Sequence, residues 1–366
     1  MRLLVTSPRG AEALLAKECE SFDLKTISTG VGIIAVEAPD YAACMRVCLE
    51  SRIAGRVILV LAEWEGIEST EDLYEAVSEL VWQEHLASSS TFAVRVTGQA
   101  PWMTNSQYVA MLVKDAVVDQ MRKHGDRSSV DRASPDLLIQ VRVLGGHVIL
   151  GLDLSGRSLH ERGYRQETGQ APLKEHLAAA LLMHTGWPDA GTDLLIDPCC
   201  GSGTLLIEAC MLWYGLPPRQ RIRYGFHGWL QHDVQVFEDL SAAFADRPKR
   251  QEPCRLFGFD QAAVESARRN TGDLPIIFEQ ARFQDLPVQE PGALVVMNPP
   301  YGTRLDADQT LYRDIGHMLK KKFPTSRAHV LAPFGPLCHE VGLRAHERAI
   351  FWNGPLELRF LAFRIT

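Results

Sequence analysis

The sequence has no long apolar run, no paired cysteines and no excess of positive charge. None of its hydrophobic stretches approaches the roughly 18 residues that a membrane-spanning helix needs, so nothing indicates a membrane protein. The opening segment also lacks the longer apolar core and the small-residue cleavage site of a signal peptide, and we therefore expect a cytoplasmic protein. A chain of 366 residues is long enough for two or three domains.

The cysteines and the net charge narrow the range of functions further. Eight cysteines are present, but none of them forms a C-x-x-C pair, so we expect buried free thiols and no metal site. The net charge of −7 excludes a uniformly basic surface. Any contact with nucleic acid therefore has to come from local patches.

The most informative stretch is Asn298-Pro299-Pro300-Tyr301, which follows an apolar run typical of a buried parallel strand. Each proline holds φ near about −65° and has no N–H, so the turn is stiff and its carbonyls stay free as acceptors. Together with the side-chain oxygen of Asn298, these carbonyls suit an exocyclic –NH2 group of a nucleobase, on which Tyr301 would stack. The same residues could also form a plain turn after a strand, so the context has to decide.

A glycine turn lies upstream, between an apolar run that ends at Asp197 and a helical pattern. Its glycines allow a close backbone approach to a ligand, and the first helical turn offers unpaired N–H groups. The third glycine of a dinucleotide fingerprint is missing, and Asp197 would repel a pyrophosphate but favour an ammonium or a sulfonium. S-adenosylmethionine fits these requirements. The turn residues expected to bind it are Cys199, Gly201, Ser202, Gly203 and Thr204.

Two further acids follow the next predicted strands. Asp260 could accept hydrogen bonds from ribose hydroxyls, and Asp285 could accept one from the adenine amine. Each acid alone is more often a helix cap or a turn residue. In this order at successive strand ends, with Asn298 at the next one, they favour a ligand bound outside the carboxyl ends of an open α/β sheet.

Hydrophobic periodicity predicts the surrounding elements. It indicates alternating strands and helices over residues 1–60, a helix near 71–85, a strand at 92–97, a helix at 105–124, and two strands joined by Gly145-Gly146. The spacing from Asp197 to Asp260 is far beyond the ~20 residues of a simple βαβ unit, so an insertion is expected at 213–250.

The catalytic half resembles the class I S-adenosylmethionine-dependent methyltransferases with an Asn-Pro-Pro-Tyr motif, which act on exocyclic amines. The amino-terminal half is similar to the THUMP domain of the large-subunit rRNA guanine-N2 methyltransferases of the RlmL type. The stretches that carry this second likeness are Phe92-Ala93-Val94-Arg95-Val96, Asn105-Ser106-Gln107-Tyr108, Pro135-Asp136-Leu137, Leu159-His160 and Arg162-Gly163-Tyr164-Arg165. The resemblance covers nearly the whole chain.

The resemblance implies an α/β fold with four segments: a ferredoxin-like domain at 1–60, a THUMP RNA-binding domain at 61–155, a linker at 156–171, and a Rossmann-like methyltransferase domain at 172–366. It further implies that guanine N2 of 23S rRNA attacks the sulfonium methyl group in line, while Asn298 and the Pro299 carbonyl hold the amine. The target base would be flipped or single-stranded. The catalytic residues would be Asn298, Pro299, Pro300 and Tyr301.

The expected RNA partner is 23S rRNA or its assembly intermediate, and no metal or membrane partner is expected. Arginines interleaved with aromatic residues suit phosphate and base contacts better than a plain lysine run. The residues predicted to bind RNA are therefore Arg157, Arg162, Arg165, Arg219, Arg221, Arg223 and Trp229.

Three other interpretations remain open. A tRNA guanine-N2 methyltransferase shares the same layout, and a DNA adenine-N6 methyltransferase shares only the catalytic half. A noncatalytic RNA-binding assembly factor could retain a relic cofactor pocket. Some members of the family carry a second methyltransferase half, so the chain is either a standalone enzyme or the amino-terminal half of a fusion.

Overall fold

The computed structural model describes residues 1–123, 125, 129–166, 173–219, 223–300 and 309–366. Two predicted site residues, Arg221 and Tyr301, lie outside these ranges, as does part of the predicted linker. The predicted α/β architecture is confirmed: an α+β amino-terminal half precedes an α/β carboxyl-terminal half.

The amino-terminal half is built on one mixed sheet of order β2-β3-β1-β4-β8-β7-β5-β6. The strands are β1 Arg2–Thr6, β2 Lys25–Gly30, β3 Ile33–Glu37, β4 Arg56–Trp64, β5 Thr91–Gln99, β6 Ser129–Val130, β7 Leu137–Leu144 and β8 His147–Asp153. The helices are α1 Glu12–Glu20, α2 Tyr41–Glu50, α3 Thr70–Ser78 and α4 Ser106–Lys123.

Strand β4 joins the predicted ferredoxin-like and THUMP segments into a continuous sheet. It pairs antiparallel with β1 on one side and with β8 on the other. No strand was predicted at the positions of β2 and β4, so a single sheet shared by the two segments was not expected. The predicted hairpin at Gly145-Gly146 is confirmed, because Leu144 pairs with His147 across it.

The two faces of this sheet have different surroundings. Alternate strand side chains such as Leu3, Val57 and Val141 are buried in one core with side chains from α1 to α4. The opposite face carries Ile58, Arg95 and the other alternate residues, and it holds a cavity lined only by strand residues. We call this second side the open face.

The carboxyl-terminal half contains a second sheet of order β11-β10-β9-β12-β13-β15-β14. Its strands are β9 Leu194–Asp197, β10 Arg255–Asp260, β11 Ile277–Gln280, β12 Leu294–Met297, β13 Arg327–Pro333, β14 Glu347–Asn353 and β15 Leu356–Arg364. The helices are α5 Glu175–His184, α6 Thr204–Trp213, α7 Val234–Ala245, α8 Val264–Thr271, α9 Gln309–Lys322 and α10 Leu337–Glu340.

The strand order places the predicted motifs at one edge of the second sheet. Strand β9 pairs in parallel with both β10 and β12, so the strand order reverses there. A crevice opens outside the carboxyl ends of strands at such a switch point. The residues that end these three strands or follow them at once, Asp197, Asp260 and Asn298, therefore come together.

The two halves are packed tightly against each other. Leu3 of the first half and Leu206 of the second belong to one hydrophobic core. The predicted insertion at 213–250 contains α7 and a short 3-10 helix, Gly225–Gly228, and its Arg247 forms two contacts of 2.6 and 2.7 Å with the Glu50 carboxylate. The helices of the described residues are all too short or too polar to cross a lipid bilayer.

Candidate functional site

The glycine turn after β9 combines a tight side and an open side. Gly201 and Gly203 have φ values of +53° and +82°, a region that favours glycine. A Cβ at Gly203 would lie 3.1 Å from the ring of Phe278 and 3.2 Å from the Cβ of Ala267, so the turn packs closely there. A Cβ at Gly201 would meet no described atom within 4 Å. The backbone at Gly201 is therefore accessible to a ligand.

Asp260 ties the end of β10 to this turn. One of its carboxylate oxygens accepts a hydrogen bond from the Gly201 N–H at 3.0 Å, and the other accepts from the N–H groups of Ala262 and Ala263, each at 2.9 Å. A carboxylate has about four acceptor positions, so one remains for a hydroxyl group of a ligand. This arrangement agrees with the predicted ribose contact.

Asp197 is buried behind the turn, with 1% of its surface exposed. Its carboxyl accepts a hydrogen bond from the Cys199 N–H at 3.0 Å. Burial raises the pKa of Asp197 to about 8, and the nearby Asp260 carboxylate adds to the increase. A carboxyl with this pKa is mostly protonated at pH 7.

Asn298 follows β12 and has an unsatisfied acceptor. Its side-chain oxygen, Oδ1, is buried and has no hydrogen-bond partner among the described residues. An unpaired buried acceptor costs about 1–3 kcal/mol, and such groups in native structures often have a functional reason. The adjoining Pro299 has no N–H to offer it. Asn298 is therefore suited to receive an N–H group from a ligand.

These residues surround a cavity of about 680 Å³. Of the predicted residues, those that line it are Cys199, Gly201, Asp260, Asn298, Pro299 and Pro300. The predicted residues Asp197, Ser202, Gly203 and Thr204 do not line the cavity and instead form or support the turn. Burial raises the pKa of the Cys199 thiol well above its ordinary value, so a neutral thiol faces the cavity.

The segment after β11 lines the cavity through residues other than the predicted Asp285. Asp285 is exposed and does not line the cavity, so its expected contact with an adenine amine has no support in this arrangement. Its neighbours Phe283 and Gln284 line the cavity on a short 3-10 helix, Phe283–Asp285. Neither residue could be predicted from the sequence, because a 3-10 turn of three residues has no periodicity to reveal which side chain faces a pocket.

The outer side of the glycine turn is held by the segment before α5. Arg165 donates a hydrogen bond from Nη2 to the Thr204 hydroxyl at 3.1 Å, and its Nε is 2.9 Å from the Glu175 carboxylate. Asn270 donates to the Ser202 carbonyl at 3.1 Å. Arg165 was predicted to bind RNA; its polar contacts secure the turn, and it also lines the polar cavity that contains Arg157 and Arg223.

The structure contradicts the predicted RNA contacts of two arginines. Only 1% of Arg162 and 5% of Arg219 is exposed. Arg162 lies 3.3 Å from the Glu208 carboxylate and donates to the Leu159 carbonyl at 2.7 Å. Arg219 donates to the carbonyls of Ser51 and Leu159. Because protein oxygens already accept from both guanidinium groups, these arginines stabilise the junction of the two halves.

Trp229 is also wrong as an RNA contact. It is 4% exposed, its ring centroid lies 4.8 Å from that of Tyr41, and its indole N–H donates to His85 at 3.1 Å. Arg157 and Arg223, in contrast, are exposed and line a polar cavity of about 700 Å³ between the halves. These two arginines remain available for the predicted RNA contact.

In the part of the chain that the structure describes, no three His, Cys, Asp or Glu side chains are grouped so that they could hold a metal ion. All eight cysteines are free, and six of them are buried.

Comparison with protein families yields matches over most of the chain. A family model of the RlmL ferredoxin-like domain matches residues 2–58, one of the THUMP domain matches residues 68–153, and one of the RMKL-like methyltransferase domain matches residues 162–339. The "Ribosomal RNA large subunit methyltransferase K/L" of Pseudomonas savastanoi pv. phaseolicola is 38% identical over 383 aligned residues. This alignment covers 100% of the chain and 51% of the relative. The chain thus spans about half the length of the curated relatives it matches.

Two solved structures share the whole architecture. SMU.472, a protein described as a methyltransferase and crystallised with SAH, is 25% identical with a TM-score of 0.88, and the match covers 100% of this chain and 98% of that one. A protein of Listeria monocytogenes named as an N6-adenine-specific DNA methylase is 27% identical with a TM-score of 0.87, over 100% and 96% of the two chains.

Proposed function

We propose that the chain is a THUMP-domain methyltransferase of the RlmL type and that it methylates the exocyclic N2 amine of a guanine in 23S rRNA. The observation that carries the proposal is the unpartnered Oδ1 of Asn298 at a cavity that also contains the glycine turn and Asp260. The proposed organisation keeps the ferredoxin-like segment at 1–60, the THUMP segment at 61–155, the linker at 156–171 and the catalytic domain at 172–366.

The residues at the cavity fit S-adenosylmethionine as the methyl donor. The accessible backbone at Gly201 allows close approach, and Asp260 retains an acceptor position for a ribose hydroxyl. A cationic ligand nearby would favour ionisation of Asp197, whose pKa of about 8 makes that change inexpensive near neutral pH. When bound, S-adenosylmethionine supplies a methyl group on a cationic sulfur, which is open to in-line attack by an amine. The relative SMU.472 was crystallised with SAH, the demethylated form of this donor.

Asn298 holds the amine of the target base in this proposal. Its Oδ1 accepts one N–H of the guanine N2 group, and the Pro299 carbonyl accepts the other. Two acceptors on one amine fix its orientation and favour the pyramidal form, whose lone pair is available for attack. The base has to leave its helix to reach the cavity, and Tyr301, which lies outside the described residues, would stack on it.

Ribosomal RNA as the substrate is proposed from the names of the relatives and from the THUMP segment. Arg157 and Arg223 would contact its phosphates at the cavity between the halves. The proposal also retains a cytoplasmic location, where ribosomal RNA is matured.

The substitution Asn298→Ala tests the role of the amide oxygen. We expect methyl transfer to unmodified 23S rRNA to fall about a hundredfold or more, as it does when one positioned hydrogen-bonding group is removed from an active site. The affinity for SAH, measured by calorimetry, should stay unchanged. The free energy of unfolding should not fall, because the variant removes an acceptor that has no partner among the described residues.

Two results would count against this role. Unchanged methyl transfer by Asn298→Ala would show that the oxygen does not hold the amine. A loss of both SAH binding and stability would show that Asn298 supports the fold.

A further inference from the structure

The open face of the amino-terminal sheet contains a second concave site. It is a cavity of about 250 Å³, lined by residues of β1, β3, β4, β5, β7 and β8. Three arginines, Arg56, Arg95 and Arg142, line it together with neutral side chains, and no carboxylate is among the described lining residues. A concentration of positive charge of this kind is unexpected on a chain whose net charge is −7.

The strand register explains why these arginines meet. Arg95 of β5 pairs with Gln140 of β7, and Arg142 follows two residues later on β7. Side chains two residues apart on a strand share a face, so Arg95 and Arg142 lie on the same side of the sheet. Strand spacing and rise place their Cα atoms about 8 Å apart. Arg56 reaches the same cavity from β4.

Arg95 and Arg142 have no charge partner in the part of the chain that the structure describes. Arg95 is exposed and Arg142 half-buried, and neither guanidinium group has an ion pair or hydrogen bond with a described residue. Arg56 differs from them, since it forms an ion pair with the buried Asp153. Two like charges held near each other repel, and an anion between them would remove that repulsion.

Besides Asp153, a second acid on this face is also paired. Glu63 of β4 pairs with Ile149 in the sheet register, and Ile149 lines the cavity. The Glu63 carboxylate, however, forms an ion pair with Arg2 and lies 2.7 Å from a ring nitrogen of His147. Glu63 is thus not free to neutralise Arg95 and Arg142.

We propose that the open face binds the phosphates of an RNA strand through Arg95 and Arg142, with Arg56 at the far side of the cavity. This inference rests on the proposed function, because RNA is the substrate there, and it adds a contact surface that shares no lining residue with the catalytic cavity. No aromatic side chain is among the described lining residues, so the site offers no platform for base stacking. It therefore positions RNA without reading its sequence.

A pair of charge-matched double variants tests the site. The face variant is Arg95→Gln with Arg142→Gln. The control variant is Arg122→Gln with Lys123→Gln, which removes two exposed charges at the end of α4, a helix on the opposite side of the same sheet. Affinity for unmodified 23S rRNA transcript is measured over a range of salt concentrations, together with methyl-transfer kinetics and SAH binding.

The face variant should bind the transcript roughly tenfold more weakly than the control variant, and the slope of log K against log salt should be smaller by about 1.4, the value for two phosphate contacts on single-stranded RNA. The KM for RNA should rise, while kcat and the affinity for SAH stay as in the unmodified chain. A raised KM with unchanged kcat and SAH affinity distinguishes the loss of an RNA contact from a general loss of structure.

Equal RNA affinity and equal salt slope in the two variants would overturn the site, since the effect would then follow net charge alone. A change of oligomeric state confined to the face variant would also overturn it, by showing that the surface contacts a second copy of the chain. An unmodified chain that neither binds nor methylates the transcript would refute the proposed function itself. Methylation by the unmodified chain, with no effect of the face variant, would refute only this inference.

Discussion

Arginines at the junction of the two halves and arginines on the open face use the same side chain in opposite ways. Arg162 and Arg219 are buried, and their guanidinium groups are bonded to a carboxylate or to backbone carbonyls. Arg95 and Arg142 lie on a sheet surface and have no such partners among the described residues. The junction arginines hold the protein together, whereas the face arginines are available to another molecule.

This difference shows that grouping of arginines along a sequence does not reveal an interface. RNA binding was predicted for Arg162 because it belongs to a basic cluster in the linker, and for Arg219 because it lies near aromatic residues. Arg95 and Arg142, in contrast, are isolated cations in apolar strands. The outcome was decided by contacts that are remote in sequence. Arg219, for example, donates to carbonyls of Ser51 and Leu159.

The largest contrast is expected in stability. Arg162→Met removes one partner of a buried ion pair and leaves the Glu208 carboxylate without its charge partner. Breaking such a pair costs about 3–5 kcal/mol, so the free energy of unfolding in urea should fall by that amount. The same substitution on the open face, Arg142→Met, should change it by no more than about 0.5 kcal/mol. Equal losses in the two variants would remove the distinction between junction and face.

A second contrast concerns acids, and it depends on pH. Asp197 is buried with a pKa of about 8, above its ordinary 3.8, whereas Asp285 is exposed. Between the ordinary pKa of an aspartate and the raised pKa of Asp197, the folded protein keeps a proton that the unfolded chain has released. Asp197 therefore makes the free energy of unfolding fall as the pH rises from about 4 to 8. Asp197→Asn should flatten this dependence in unfolding experiments across that range, and Asp285→Asn should not. The same profile in both variants would show that Asp197 is not the group responsible.

Arg165 combines features of the junction arginines and of the arginines that are available to another molecule. It lines the polar cavity between the halves, and it also supports the glycine turn. Arg165→Gln should weaken SAH binding about tenfold, since the loss of a charge-assisted hydrogen bond costs about 1.5–3 kcal/mol. RNA affinity should change much less. Calorimetry with SAH and RNA titrations separate the two effects, and a loss restricted to RNA binding would restore the original prediction for this residue.

The smallest changes in stability and RNA affinity are expected for Arg223, which lines the polar cavity between the halves. Arg223 forms an exposed ion pair with Asp136 at 2.7 Å, and exposed pairs contribute about 0–1 kcal/mol. Arg223→Gln should therefore leave the melting temperature nearly unchanged and lower RNA affinity only two- to threefold, as one phosphate contact would. A marked drop in stability would place Arg223 with the junction arginines.

The cofactor end of the fold was predictable because its signals are local. A strand, a glycine turn and a helix are adjacent in the chain, and the acid or amide after each parallel strand has to reach the same edge. Gly201, Asp260 and Asn298 do line one cavity, and their binding of a cofactor stays a prediction. Phe283 and Gln284 could not be found in this way, because only the packing of their short helix brings them to the cavity.

The amino-terminal half was less predictable because its sheet is assembled from distant strands. Strand β4 connects β1 with β8, and the side that β4 presents to the helices depends on a register shift between Val60 and Ala62. Such a shift has no reliable mark in a single sequence. The open face and its arginines could therefore not be predicted without the strand register.

The most direct test of the account is transfer of labelled methyl groups to unmodified 23S rRNA, tRNA and DNA, followed by digestion to nucleosides. The proposal predicts label in N2-methylguanosine from 23S rRNA, and little label in the other two substrates. Label in N6-methyladenine, or label confined to tRNA, would contradict it.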